Sequence, residues 1–409
     1  MDSVVWRVDR AKMTDPDEVE HNPESAPLGW QALASLLNTP TALFEKILFL
    51  QGFEFSSNIY LLKGDHLAIV DPGNDYTAFL ALWELGFKPA DIKKIVFTHG
   101  HFDNVMGAFE LLRSYPQMLG NGGLELILHE AGPREFKEVV RGFGSRITEV
   151  RGGETLELGG FPWEVIHTPG HTVDSICLYH APTQTALTGD TVLPHAMAEP
   201  DKNAGGRLDY YLYSVKALLK RDIQNVLPGH GAPVAAAGKR VIEETYEALL
   251  MKIIGVEDKT PWMVGASTLV ERGLLEDAVF CCDKALARNP EDFKALELKA
   301  LCLNDLGRFP EALEVLDQLG KLPSPESDDV FPLIGRGYAL MGLGKYDESV
   351  KLFDEALKIK PGMKDALMYK GMALYLAGNY EQAMDIEHFK TEFVGRFKEE
   401  LLKKKDAGA

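Results

Sequence analysis

The stretch THGHFDN, residues 98–104, places two histidines and a carboxylate within five residues, at His99, His101 and Asp103. The apolar residues 95–97 directly before it predict a short buried strand, so these polar side chains follow a strand end. A loop at a strand end can direct imidazoles and a carboxylate to one point, as a metal ion requires. The stretch therefore predicts a metal site, although clustered histidines also occur on ordinary protein surfaces.

Four more polar residues follow apolar, strand-like runs, and each has glycine or proline beside it. They are Asp71 in VDPG, His171 in PGHT, Asp190 in TGDT and His230 in PGHG. Glycine and proline mark tight turns, so the pattern repeatedly places a residue that can bind metal on a turn at a strand end. We expect these turns to meet at one edge of the sheets.

In this order and context, the five elements resemble the metallo-β-lactamase superfamily. That family has an early aspartate, an HxHxDH motif, a Gly-His, a Gly-Asp and a final Gly-His, and the resemblance covers roughly residues 45–250. The stretches around His171 and Asp190 are similar to the glyoxalase-II-like hydrolase branch. The resemblance implies an α+β fold, with a four-layer αβ/βα sandwich.

The resemblance also implies a set of metal ligands. One ion would be bound by three histidines, His99, His101 and His171. A second would be bound by Asp103, Asp190 and His230, with Asp190 able to bridge the two ions. We expect zinc, two ions per chain, with iron or manganese as alternatives.

Further roles follow from the resemblance and from position in the chain. Asp103 would be the catalytic residue, because it would orient the attacking water. Asp71 and Thr98 would support the histidine loop through hydrogen bonds. His195 and Tyr210 follow the Gly-Asp turn, where substrate pockets often open, and are weaker candidates to contact substrate.

Asn104 departs from the family pattern, which usually has histidine at this position. An amide binds zinc less well than an imidazole does. In one interpretation two ions still bind, and Asn104 only neighbours the second site. In the other, a single ion binds through the three histidines, with or without Asp190, and this ligand set suits iron(II).

A second pattern occupies the C-terminal part of the chain. Gly273, Gly307, Gly344 and Gly378 recur at intervals of 34, 37 and 34 residues. A period near 34 with small residues at helix crossings resembles the tetratricopeptide repeat, which implies an all-α solenoid of paired helices. Such a surface would bind a protein or peptide partner, or form a homodimer.

These patterns predict four segments. Residues 1–43 form an N-terminal extension, and residues 44–258 form the metallo-β-lactamase-like domain. Residues 259–398 hold about four tetratricopeptide repeats, and residues 399–409 form a basic C-terminal tail.

Composition limits the partners. The 409 residues carry a formal net charge of −18, which argues against a nucleic-acid binder. No apolar run reaches the length of a membrane span, and the N-terminus shows no hydrophobic signal core. The cysteines lack CxxC spacing, which favours a reduced cytoplasmic setting; they are Cys177, Cys281, Cys282 and Cys302.

The function we expect is metal-dependent hydrolysis, in which a metal-bound hydroxide attacks a small ester, thioester or lactone. Three alternatives stay open from sequence alone. They are a mononuclear iron oxygenase acting on a persulfide, a ribonuclease, and a non-enzymatic adaptor that works through its repeats.

Overall fold

A computed structural model describes residues 29–53, 55–74, 77–116, 123–255, 262–323 and 329–395. The basic tail, the first 28 residues and the expected domain boundary near residue 258 lie outside these ranges. The chain divides between Leu249 and Leu250 into two compact units. None of the described helices is both long enough and apolar enough to cross a membrane.

The first unit contains two β-sheets among its described residues. The larger has strand order β1-β2-β3-β4-β5-β6-β7, antiparallel from β1 to β4 and parallel from β4 to β7. Its strands are β1 (Gln31–Ala32), β2 (Ile47–Leu50), β3 (Ile59–Lys63), β4 (Leu67–Val70), β5 (Ile92–Val96), β6 (Glu125–His129) and β7 (Arg146–Val150).

The smaller sheet has strand order β12-β11-β10-β9-β8, and only the β11–β12 pair is parallel. Its strands are β8 (Thr155–Leu158), β9 (Phe161–His167), β10 (Ile176–His180), β11 (Thr185–Gly189) and β12 (Asn225–Pro228). Among the described residues before 255, the α-helices are α1 (Leu33–Leu36), α2 (Thr77–Glu84), α3 (Phe102–Ser114), α4 (Arg134–Gly142), α5 (Leu208–Leu219) and α6 (Gly238–Ile254).

Strand β3 shows how the layers form. Successive side chains of a strand point to opposite faces of its sheet. Tyr60 and Leu62 therefore join a buried cluster that also contains Trp163 and Leu178 of the smaller sheet. Ile59 and Leu61 join the cluster that contains helical residues such as Val105 and Phe136. The sequence of strand β3 is apolar on both faces because both faces are covered.

Segment 29–43, which we expected to belong to an extension, contributes β1 and α1. Strand β1 pairs with β2, and the side chains of Leu33 and Leu43 are buried in the core between the sheets. A strand of two residues is too short to show the alternation that identifies strands in a sequence.

The second unit is helical, as the repeat pattern predicts, and the expected fold class is confirmed. Between residues 262 and 384 its described helices are α7 (Trp262–Glu271), α8 (Leu275–Arg288), α9 (Phe293–Asp305), α10 (Phe309–Leu319), α11 (Phe331–Gly342), α12 (Tyr346–Ile359), α13 (Lys364–Leu376) and α14 (Tyr380–Met384). Residues 387–395 are also helical.

The recurring glycines end the first helix of each pair. Gly273, Gly307, Gly344 and Gly378 have φ between 72° and 84°, which is the left-handed region. After Gly344, the Lys345 N–H donates to the Leu340 carbonyl, and the other three turns have the same bond. This hydrogen bond is the helix-ending motif in which glycine avoids the steric cost of a Cβ atom.

Adjacent repeats are joined by a recurring ion pair. An aspartate on the second helix of one repeat pairs with a basic residue on the first helix of the next. The pairs are Asp283 with Lys299, Asp317 with Arg336, and Asp354 with Lys370.

The backbone requirement at these turns is testable by Gly344→Ala. Alanine at a φ of 77° should lower the free energy of unfolding by about 1 kcal/mol. Gly320→Ala is the matched control, because Gly320 has a φ of −66° and room for a Cβ atom. Denaturant unfolding, followed by the helical circular dichroism signal, measures both. Equal stability of the two variants would contradict the assignment.

Candidate metal centre

The sheet topology brings the polar turns of both sheets together. Strands β4 and β5 are parallel and end just before Asp71 and His99, while β11 and β12 are parallel and end just before Asp190 and His230. Neighbouring parallel strands end at the same edge of a sheet. Hydrogen bonds join the two edges, since Asn58 after β2 donates to the carbonyls of Pro228 and Gly231.

Three histidines form the centre of this region. His101 Nδ1 lies 3.1 Å from His99 Nε2 and 3.0 Å from His171 Nε2. Among the described residues, these three form the group whose ligand atoms are close enough to bind one metal ion. Burial lowers the pKa values of His99 and His171, so both rings are held neutral, the form that binds metal.

The opposite nitrogen of each ring faces an oxygen atom. Taking His99, His101 and His171 in order, these oxygens are Thr98 Oγ1 at 3.1 Å, Asp201 Oδ2 at 3.1 Å and the Glu199 carbonyl at 2.7 Å. An acceptor at the far nitrogen fixes the tautomer and leaves the near nitrogen free to bind metal. The donor set of this structure therefore fits a divalent cation.

Asp190 lies between the three histidines and His230. Its Oδ2 atom is 3.9 Å from His99 Nε2, 3.7 Å from His171 Nε2 and 3.6 Å from His230 Nε2. Its Oδ1 atom is buried and has no hydrogen-bond partner among the described residues. A buried carboxylate oxygen without a partner is costly unless a cation is its partner. A Cβ atom at Gly229 would collide with this oxygen, so the position before His230 requires glycine.

Asp103 and His230 contact each other directly. The distance from Asp103 Oδ2 to His230 Nε2 is 2.9 Å. Burial opposes a charge on His230, but the hydrogen bond that its ring donates to Asp103 and the charge of Asp190 raise its pKa to about 9. All six residues of the expected ligand set thus lie together. Asp190 adjoins the three histidines, and Asp103 and His230 form a pair beside them.

Comparison with known proteins agrees with this geometry. A family model described as the metallo-beta-lactamase superfamily matches residues 52–230. An uncharacterized protein of Mycobacterium leprae is 30% identical over 215 residues, which cover 47% of this chain and 94% of that protein. The chain belongs to the metallo-beta-lactamase superfamily. A tetratricopeptide-repeat model matches residues 264–324 and 334–387.

Two other relatives of this superfamily domain have more descriptive names. A probable metallo-hydrolase of Methanocaldococcus jannaschii is 29% identical over 205 residues, covering 45% of this chain and 92% of that protein. The hydroxyacylglutathione hydrolase GloC of Haemophilus influenzae is 28% identical over 190 residues, covering 44% of this chain and 87% of GloC. The resemblance stated from the motifs is therefore confirmed.

Asp71 supports the loop that carries His99 and His101. Its carboxylate accepts hydrogen bonds from the Thr98 N–H at 2.8 Å and from Thr98 Oγ1 at 2.7 Å. Thr98 Oγ1 in turn is the acceptor for His99. Burial raises the pKa of Asp71 to about 7. Its φ of 51° is unusual for a residue other than glycine, which is the kind of backbone strain found at functional sites.

Asn104 lies on the far side of His99 from the other two histidines. Its Nδ2 atom is 3.4 Å from both Thr98 Oγ1 and His99 Nδ1. The side chain is fully buried, and its Oδ1 atom has no hydrogen-bond partner among the described residues. The Asn104 amide thus contacts His99 at Nδ1, the ring nitrogen that faces away from the other two histidines.

The two weaker candidates are both exposed. His195 has a left-handed φ of 60°, and the Arg207 guanidinium lies 4.3 Å from the centre of the Tyr210 ring. Sequence reasoning missed Asp201 and Glu199 as partners of the histidines, and it left open whether Tyr211 lines the mouth of the site or packs on the sheet. The Tyr211 hydroxyl donates to the Asp190 carbonyl at 2.9 Å.

His129 and His167 form a stacked pair apart from this cluster, with ring centroids 3.9 Å apart. His129 Nδ1 accepts a hydrogen bond from the Ala131 N–H. Burial, and then the neighbouring His167, lower the pKa of His129 to about 4. Because the unfolded state has the higher pKa, 6.5, stability from this residue is present above pH 6.5 and is lost as the pH falls toward 4.

His129→Asn tests this linkage, because asparagine can still accept from Ala131 but does not titrate. Between pH 7 and pH 4, the free energy of unfolding should therefore fall by roughly 3 kcal/mol less in the variant than in the wild type. His66→Asn, at an exposed turn, is the control and should keep the wild-type pH profile. Denaturant unfolding at several pH values gives the answer, and a parallel profile for wild type and His129→Asn would refute the linkage.

Proposed function

We propose that this protein is a metal-dependent hydrolase of a small ester, thioester or lactone. The observation that carries the proposal is the convergence of His99, His101 and His171, with Asp190 Oδ2 between them and His230. Membership of the metallo-beta-lactamase superfamily and the metallo-hydrolase relatives support it.

The expected metal is zinc, with two ions per chain. His99, His101 and His171 would hold one ion, and Asp103, Asp190 and His230 the other. When bound, zinc would lower the pKa of a coordinated water to about 7 and polarise the substrate carbonyl.

Exposure indicates the side from which substrate approaches. The side chains of His99 and Asp190 are 1% and 9% exposed, whereas those of His101, Asp103 and His230 are 27%, 25% and 35% exposed. The cluster is therefore closed behind His99 and open beside His101 and His230. Asp103 lies on the open side, where its carboxylate can accept a proton from water and orient that water.

A thioester is the substrate type with the most support. GloC, a hydroxyacylglutathione hydrolase by name, resembles most of the superfamily domain. The exposed Phe102, which directly precedes Asp103, offers an apolar contact for an acyl group. We also propose that the tetratricopeptide repeats bind a protein partner, which would place the hydrolase near its substrate.

A mononuclear iron enzyme acting on a persulfide is the second candidate. The observation that favours it is that Asp103 and His230 bond to each other, while the three histidines form a separate group. Three imidazoles with an adjacent carboxylate suit iron(II).

The hydrolase proposal is tested with zinc-loaded protein and three substrates: a hydroxyacyl-glutathione thioester, an aryl ester and a lactone. We expect turnover of at least one. Asp190→Ala should lower kcat/KM roughly 1000-fold, since a metal ion supplies several kcal/mol to the transition state. Asp222→Ala, at an exposed loop carboxylate, should retain wild-type activity. No turnover of any substrate, or full turnover by Asp190→Ala, would reject the proposal.

A further inference from the structure

One segment of the superfamily domain provides acceptors for two of the three histidines. We call residues 199–206 the acceptor loop. The Glu199 carbonyl accepts from His171 Nδ1, and Asp201 Oδ2 accepts from His101 Nε2. Asp201 lies 100 positions after His101 in the chain, so this contact depends on the tertiary structure.

The backbone of the acceptor loop holds Asp201 in place independently of His101. The Asp201 N–H donates to the His171 carbonyl at 2.8 Å, and the Asp201 carbonyl accepts from the Gly206 N–H at 2.7 Å. Its Oδ1 atom accepts from the Asn203 N–H at 2.8 Å. These bonds leave Oδ2 as the oxygen that faces His101.

The acceptor loop is also packed tightly against the residues around His171. The Val173 N–H donates to the Ala204 carbonyl at 2.9 Å, and the Arg207 N–H donates to the Gly170 carbonyl at 2.9 Å. A Cβ atom at Gly206 would collide with the His171 carbonyl. The loop therefore cannot shift without moving the chain segment that carries His171.

His101 needs this support more than the other two histidines do. Its side chain is 27% exposed, whereas those of His99 and His171 are 1% and 9% exposed, so packing restrains it least. A carboxylate at Nε2 keeps the proton on that nitrogen, directs Nδ1 into the cluster and makes the ring a stronger ligand.

We propose that Asp201 is a positioning residue, which holds His101 Nδ1 in the cluster and so sets the affinity of the three histidines for a divalent cation. This inference rests on the proposed metal-dependent function. The competing explanation is that Asp201 serves only to close the acceptor loop through Asn203, in which case the pair with His101 is a partly exposed contact of little energetic value.

The test is zinc affinity of the metal-free full-length protein, measured by competition with a chromophoric chelator. Asp201→Ala should weaken binding of the tightest zinc ion about 10-fold to 100-fold. Asp201→Asn should lose less, because its amide oxygen can still accept from His101 Nε2. Asp222→Asn makes the same chemical change at an exposed loop and should bind zinc as the wild type does.

A second readout separates positioning from loop closure. In the cobalt-substituted protein, Asp201→Ala should shift the visible ligand-field bands, because the orientation of His101 changes. If Asp201→Ala does not fold, the smaller loss of zinc affinity expected in Asp201→Asn is the deciding measurement. Both Asp201 variants could instead keep wild-type zinc affinity and cobalt spectra and show only a lower melting temperature. That result would assign Asp201 to loop closure, and it would overturn this inference but not the proposed function. A wild-type chain that binds no divalent cation would overturn the proposed function as well.

Discussion

His101 Nδ1 lies about 3 Å from both His99 Nε2 and His171 Nε2, so these three nitrogens cannot all carry protons. The rest of the site depends on this constraint. To bind one cation, each ring must keep its proton on the opposite nitrogen, so each needs an acceptor there. The structure supplies a hydroxyl, a carboxylate and a backbone carbonyl, from Thr98, Asp201 and Glu199. The position of Asp71 behind Thr98 and the course of the acceptor loop both follow from that need.

The two sheets lower the conformational entropy cost of this arrangement, because the ligands lie on turns whose positions are already fixed by the strands. Asp71 and His99 follow neighbouring parallel strands of one sheet, and Asp190 and His230 follow neighbouring parallel strands of the other. A core of alternating apolar side chains between the sheets holds both edges in register. The site is thus assembled from both sheets, and Asn58 links their edges.

The sequence pattern singled out the candidate ligands because most of them lie after an apolar strand and beside glycine or proline, as His171, Asp190 and His230 do. It identified the ends of the repeat helices for a similar reason, since glycine adopts a left-handed φ at the least steric cost, as at Gly344. It could not find Asp201, which lies in a loop without periodicity and meets His101 only through the tertiary fold. Nor could it tell which way Asn104 points, because one residue type can serve as ligand or as support for His99.

The fold is compatible with both the hydrolase and the iron enzyme. The number of metal ions distinguishes them, because Asn104 stands where the family usually has a histidine. The most direct measurement is elemental analysis of freshly purified full-length protein, expressed as metal ions per chain. Two zinc ions per chain are the predicted result, with Asp103, Asp190 and His230 sufficient to hold the second ion. A single iron ion per chain, or no bound metal, would contradict the account.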